Sequence, residues 1–359
     1  MGSLPSPPRP ANPPPSPVNA LSNFRVFATF CSRDLAANMN ASNWIECYEP
    51  ANNSWTRVSP IPYIPQNHAL KDFAMVSIGG SVYIIGGRLL HKQRCQDPHA
   101  NAEVVLSSVL RYDVQSQQWA RCGPMGFPRY DFACTVYENK IYVAGGKSSA
   151  GCARGISSAE VYNPRLDVWT PLANMSTLRY KCVGLTWQGK IHVVSGFAER
   201  EDSDRTVPFM AERSSAEVFD VEAERWEMIS GMWKLDVPPN QIVAVDGRLF
   251  SSGDCLKAWK GHIESYDGNI WNEVDGSHLQ NFTSPMNSNG PLIYLTVAPI
   301  GTHLYFLAGY RIDEELSRTM SIVHVFDTSA NTDAWKSFEP TEVEGDKVLC
   351  SHCCVVQLS

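Results

Sequence analysis

The chain has 359 residues, 43% of them apolar, and a formal net charge of −7. That length can bury a large core, while the acidic balance and merely scattered Lys and Arg pairs exclude the electrostatic footprint of a nucleic-acid binder. No stretch approaches the ~18 apolar residues of a bilayer-spanning helix, and the N-terminus lacks a basic-then-apolar signal pattern, so a protein of the cytoplasm and/or nucleus is expected, with no membrane partner.

The first 22 residues, "MGSLPSPPRPANPPPSPVNALS", carry eight prolines and almost no large apolar side chain. Such a segment cannot bury enough surface to offset its ordering entropy, and a disordered tail is expected over 1–22. "FRVFATFCS" and "WIECYEPANNSWTRVSPIP" follow, reading as three strands.

From there one arrangement recurs. "FAMVSIGGSVYIIGG" (73–87), "FACTVYENKIYVAGG" (132–146), "CVGLTWQGKIHVVSG" (182–196), "IVAVDGRLFSSG" (242–253) and "LTVAPIGTHLYFLAG" (295–309) are each two short strands around a tight turn. Each precedes a second pair: "LRYDVQSQQWARCGPM", "AEVYNPRLDVWTPLANM", "AEVFDVEAERWEMISGM", "IESYDGNIWNEV" and "VHVFDTSANTDAWKSF". Four short strands repeated in fixed order predict propeller blades. The Gly doublet ends strand two, where a side chain would collide with a neighbouring blade. The aromatic of strand three and the Trp of strand four supply the large apolar surfaces, roughly 150 to 250 Å² each, that pack blade on blade.

The fold class expected is therefore all-β, a six-bladed propeller over 23–359. Blade 1 combines 23–62 with 348–359, because "SHCCVVQLS" supplies the missing first strand and closes the ring. Blades 2 to 6 are expected at approximately 67–125, 128–175, 179–232, 239–276 and 291–340.

The eleven cysteines are odd in number and irregular in spacing, and Cys47, Cys134, Cys182 and Cys353 sit in apolar strand patterns, so they read as small buried hydrophobes. Cys350, His352, Cys353 and Cys354 superficially suggest zinc, but no second ligand pair accompanies them, and no metal or cofactor is expected. His192 and His324 fall inside strand patterns, no Gly-x-Ser-x-Gly, P-loop or His-Glu-x-x-His motif occurs, and no catalytic residue is assigned.

In such blades the one-to-two and three-to-four turns share one face and the other connections share the opposite face. Turns on the first face are minimal, whereas the connections at 88–107, 197–214 and 310–320 are long and polar. That long-loop face is the expected partner-binding surface. Its candidates are Arg129, Tyr130, Asp131, Arg179, Tyr180, Lys181, Asn240, Gln241 and His352 at the entries to strand one, joined by Arg88, Lys147, Asp254 and Arg311 just after the glycines.

The Gly doublet, the Tyr and the Trp resemble the marks of the kelch-repeat β-propeller family. "PRYDFACTVYENKIYVAGG" with "SSAEVYNP" is similar to plant F-box/kelch-repeat proteins, although no F-box pattern is recognisable ahead of the repeats. The resemblance implies a non-enzymatic interaction module that binds a protein or peptide, with ubiquitin-ligase components as a further partner class. Two alternative readings are a galactose-oxidase-like enzyme and a cytoskeletal scaffold.

Overall fold

A computed structural model describes residues 21–32, 43–91, 103–199, 210–235, 237–253, 263–275, 292–313, 318–330, 334–345 and 347–358. Most of the expected proline-rich tail lies outside these. Leu21, assigned to that tail, instead packs against a cluster built from Val26, Phe30 and Tyr305.

In chain order the first strands are β1 (Phe24–Ser32), β2 (Asn43–Glu49), β3 (Ser54–Pro60) and β4 (His68–Lys71). Then come β5 (Ala74–Ile78), β6 (Ser81–Ile85), β7 (Arg88–His91), β8 (Val104–Val105), β9 (Val109–Asp113) and β10 (Gln118–Cys122). β11 (Ala133–Tyr137), β12 (Lys140–Ala144), β13 (Ala159–Asn163) and β14 (Val168–Leu172) follow. Next are β15 (Leu178–Tyr180), β16 (Val183–Trp187), β17 (Lys190–Val194), β18 (Phe197–Glu199), the four-residue helix α1 (Met210–Arg213), β19 (Ala216–Asp220) and β20 (Arg225–Ile229). β21 (Ile242–Val245), β22 (Arg248–Ser251), β23 (Ile263–Tyr266) and β24 (Trp271–Asp275) precede β25 (Leu292–Ile300), β26 (His303–Asp313), β27 (Arg318–Asp327) and β28 (Trp335–Ser337). The chain ends in β29 (Thr341–Glu344) and β30 (Lys347–Gln357).

The fold is all-β. These strands form antiparallel sheets in the orders β3-β2-β1-β30, β5-β6-β9-β10, β11-β12-β13-β14, β16-β17-β19-β20, β21-β22-β23-β24 and β25-β26-β27-β28, with β29 added to β27. The C-terminal strand thus pairs with the first, from Phe24 opposite Gln357 to Ser32 opposite Lys347. The hairpins follow from local chemistry: both turn residues take positive φ at Glu138-Asn139, Gln188-Gly189 and Asp246-Gly247, matching the twist of two-residue turns.

Aromatic packing joins the sheets. Tyr48 and Trp55, Tyr112 and Trp119, Tyr162 and Trp169, Phe219 and Trp226, Tyr266 and Trp271, and Phe326 and Trp335 are direct cross-strand partners. Their ring centroids stay between 4.9 and 5.3 Å apart although the spacing along the chain varies, so the turns absorb the difference. Several of these Trp side chains also reach the preceding sheet: Trp169 donates to the Gly123 carbonyl, Trp226 to Ala173 and Trp271 to Met232, at 2.7 to 2.9 Å.

The Gly doublets have a contact reason. A Cβ on Gly86 would lie 2.6 Å from the Arg129 carbonyl oxygen, and one on Gly146 would lie 2.7 Å from the Phe132 Cβ. Their φ values of 62° and 92° add a backbone requirement that L residues rarely meet. Gly87 and Gly146 donate to the carbonyls of Arg129 and Arg179 at 2.7 Å, so the end of one sheet's second strand is tied to the entry of the next.

Two connections expected to be irregular carry structure. β7 and β8 from 88–107 join β4 in a three-stranded layer, and β18 from 197–214 pairs with β15. At 310–320, β26 runs to Asp313 and β27 starts at Arg318, which corrects the expectation of a long loop there.

Candidate functional site

The first strands β5, β11, β16, β21, β25 and β30 line a cavity of about 630 Å³. At its rim the entries to β5, β11 and β16 repeat one device. Asp72, Asp131 and Lys181 all hold left-handed φ, at 57°, 54° and 52°. The Asp131 N–H donates to the Asp72 carbonyl at 3.1 Å, and the Lys181 N–H donates to the Asp131 carbonyl at 2.7 Å. Three consecutive entries are thereby stitched into a backbone collar, and strained non-Gly residues of this kind are held only where surrounding structure fixes them.

A cation lies over an aromatic ring in each of the next steps. Arg88 stacks on Tyr130 at 4.7 Å and Lys147 on Tyr180 at 4.0 Å. Arg88 also meets Asp72 at 2.6 Å and Glu103 at 2.9 Å. Tyr130 and Lys147 exchange backbone hydrogen bonds at 3.1 and 2.9 Å, which fixes the register of the rim. Burial, and next the Asp72 charge, raise the Asp131 carboxyl to about 6, offset in part by Lys181, Arg88 and Lys147.

The candidates from the sequence divide sharply in this geometry. Arg88, Asp131, Lys147, Tyr180 and Lys181 come together at the rim, with the Tyr130 ring buried beneath Arg88. Arg129 and Arg179 do not, which corrects the expectation that they stand free at a channel mouth: both side chains are 0% exposed. Arg129 donates to the Gly145 and Ser158 carbonyls, to the Ser158 hydroxyl and to Glu160 at 2.8 Å. Arg179 donates to the Ser195, Glu212 and Ser215 carbonyls and the Ser215 hydroxyl, with Glu217 at 3.5 Å. Burial pulls both guanidinium groups below their ordinary value.

Gln241 is also buried. Its amide donates to the Val297 carbonyl at 2.9 Å, and its oxygen accepts from Thr296 Oγ1 and the Val297 N–H, so it staples β21 to β25. Asn240 donates its N–H to the Gly253 carbonyl, Arg311 is partly buried on β26, and His352 on β30 faces the cavity. Asp254 lies outside the described residues.

Sequence reasoning missed a set of buried carboxylates that hold cations, of which three are buried and one, Lys234, is exposed. Glu46, Glu160, Glu217 and Glu264 occupy one position of the third strand, the second residue of "IECY", "AEVY", "AEVF" and "IESY", and all four are buried. They pair with Lys347, Arg129, Arg179 and Lys234. Glu217 further accepts from the Ser176 and Thr177 N–H groups, clamping the connection between sheets. The signal was the recurrence of Glu at a fixed repeat phase.

Of the cysteines, the nine described are free; Cys47, Cys182 and Cys353 are buried, whereas Cys134 is half-buried, which corrects the expectation for it. Among the described residues no group of three or more His, Cys, Asp or Glu side chains could hold a metal ion. No helix among them is long and apolar enough to cross a membrane.

The repeat is matched as such: the Kelch motif covers residues 69–126 and 128–176. F-box/kelch-repeat protein At1g16250 of Arabidopsis thaliana is 32% identical over 206 residues, 54% of this chain and 46% of that protein. F-box/kelch-repeat protein SKIP30 of the same plant is 32% identical over 151 residues, covering 42% of this chain and 41% of its own length. Kelch repeat and BTB domain-containing protein 12 of Homo sapiens is 28% identical over 168 residues, 44% of this chain and 25% of its own. The chain therefore spans less than half of each of these relatives. With the repeated sheets, the Gly doublets and the aromatic and Trp pairs, two stretches of the chain match the Kelch motif and the chain is similar to kelch-repeat proteins. It resembles the plant F-box/kelch-repeat proteins.

Proposed function

We propose that the chain is a six-bladed propeller over 23–359, closed by β30 and acting as a non-enzymatic module that binds a protein or peptide partner on its long-loop face. The closure is supported by the pairing of β30 with β1 and by the cluster in which Val26, Ala28 and Phe30 of the first sheet pack on Tyr294, Leu307 and Val323 of the last. Closing the ring would remove the edges an open array exposes.

The observation that carries the binding role is the rim, where Arg88 over Tyr130 and Lys147 over Tyr180 stand beside Asp131 and Lys181. Arg88 and Lys147, held by stacking on the Tyr130 and Tyr180 rings, lose little entropy on association, which is what interface anchors require. The names of the plant relatives motivate a link to ubiquitin-ligase components, with substrate or partner selection as the task of this chain. A cytoplasmic and/or nuclear location belongs to the same reading.

Affinity purification of the tagged chain with mass spectrometry tests it, with Lys147→Ala/Lys181→Ala as the paired bait. Partners lost with that bait support the rim. A partner set unchanged between the two baits contradicts it.

A further inference from the structure

The cavity has one corner whose polar chemistry is incomplete. Gln241 in its wall spends its side chain on Val297 and on Thr296 behind it, and Thr296 also accepts from the Cys353 N–H at 3.0 Å. Two lining atoms have no partner: Ser252 Oγ, on a residue only 3% exposed, and His352 Nδ1. Buried polar atoms without partners are rare because each carries a desolvation cost, so two in one cavity wall need a reason.

Asn240 brings the two together. Its N–H donates to the Gly253 carbonyl, beside Ser252, and its own carbonyl meets the His352 ring. A carbonyl takes only a donor, so the ring nitrogen facing Asn240 carries the proton and the partnerless Nδ1 keeps its lone pair. Burial lowers the His352 ring to about 4, which keeps it neutral at physiological pH. The charged lining residues Asp72, Asp131 and Lys181 stand at the entries to β5, β11 and β16, whereas this corner is built from β21, β25 and β30. The remaining wall is apolar there, with Ile242, Leu292 and Ile293. A volume of about 630 Å³ falls in the range of ligand cavities.

We propose that this corner is a small-molecule site for a neutral ligand carrying a hydroxyl on an apolar body. The hydroxyl donates to His352 Nδ1 and accepts from the Ser252 hydroxyl, satisfying both atoms at once, while the apolar body covers Ile242 and Leu292. The site is separate from the rim surface, so its failure leaves the partner-binding reading untouched.

The test uses the full chain labelled at histidine 13Cε1, with the His352 signal assigned by its loss in His352→Gln. The probe is 4-methylphenol, and its methyl ether, 4-methylanisole, has the same body without the donor. The expected result is a saturable shift of the His352 signal by 4-methylphenol, with the ether binding about fivefold more weakly, the worth of one hydrogen bond. Ser252→Ala, which retains the ring and the fold, should weaken 4-methylphenol by a similar factor. Equal binding of phenol and ether, an unmoved His352 signal at saturating probe, or undiminished affinity in Ser252→Ala overturns the proposal.

Discussion

Lys347 Nζ lies 2.7 Å from Glu46 Oε2, joining residues 301 positions apart in the sequence. The side chains are 4% and 10% exposed, and the ammonium also sits 4.4 Å from the Phe30 ring centroid and 5.2 Å from that of Trp55. The pair therefore ties the first residue of β30 to β2 across β1, at the seam where the two ends of the chain meet. Burying two charges is costly, and the gain is conditional on both being present. Lys347→Ala is expected to lower stability by about 3–5 kcal/mol, because Glu46 is left buried and uncompensated. Adding Glu46→Gln should restore part of that loss. Urea denaturation of the two singles and the double reads the coupling, and additive losses would contradict it.

The clamps at Arg129 and Arg179 make a prediction opposite to the one their sequence context suggests. Replacing both by Ala should not give a folded chain that merely fails to bind. Each guanidinium satisfies several carbonyls and a buried carboxylate, so single Arg179→Ala should cost about 3–5 kcal/mol. Thermal melts check it: a melting temperature within a degree or two of the parent would restore these residues as surface contacts.

The blade pattern was readable because it is local. Gly doublets, two-residue turns with positive φ and cross-strand aromatic pairs all declare themselves within about fifteen residues, and the structure places them accordingly. Arg129 and Arg179 were misread because Arg beside Tyr has the composition of an interface, while their burial depends on Glu160 and Glu217, 31 and 38 residues further on. The Glu position was visible in four repeats, yet only its phase relative to the cation, not its presence, reveals the pair. Asn240 and His352 were candidates in the sequence, but their grouping with Ser252 was not readable, because His352 comes from a distant part of the chain and meets that segment only through Asn240.

Gly146→Ala tests the junction between sheets. The added methyl would meet the Phe132 Cβ at 2.7 Å and the Tyr130 carbonyl at 2.8 Å, at a φ of 92°. The strain should cost about 1–3 kcal/mol. Gly151→Ala is the control, since its φ of 77° is also positive but nothing lies within 4 Å of the added carbon. Equal losses at the two positions would mean that backbone strain alone, and not the close approach, sets the cost.

Asp131 predicts a pH dependence. Its carboxyl is raised from 3.8 to about 6, first by burial and then by Asp72. The folded chain thus binds this proton more tightly than the unfolded chain, so the stabilising contribution is present below 3.8 and lost as pH rises to about 6. Asp131→Asn removes the charge and keeps a residue that tolerates the left-handed φ of 54°. At pH 7.5 it should be more stable than the parent by about 1–2 kcal/mol, after discounting the shift for partial exposure. The gain should shrink toward pH 4.5 in denaturant titrations. A gain of the same size at both pH values would assign it to something other than this carboxylate.

The rim predicts where binding is lost. Lys147→Ala with Lys181→Ala removes the cation stacked 4.0 Å from Tyr180 and the exposed cation of the backbone collar; Lys147 is half-buried and Lys181 exposed, unlike the fully buried Arg179. Stability should change by within about 0.5 kcal/mol per residue. Partner affinity should fall by about tenfold or more, because anchors at the centre of an interface contribute on the order of 2 kcal/mol each when truncated. The control is Arg165→Ala with Glu224→Ala, two exposed positions in the turns between β13 and β14 and between β19 and β20. Calorimetric titration with a purified partner compares them. Retained affinity in the rim double together with loss in the control would move the binding surface to the short-turn face, since the two pairs lie at opposite ends of the strands that carry them.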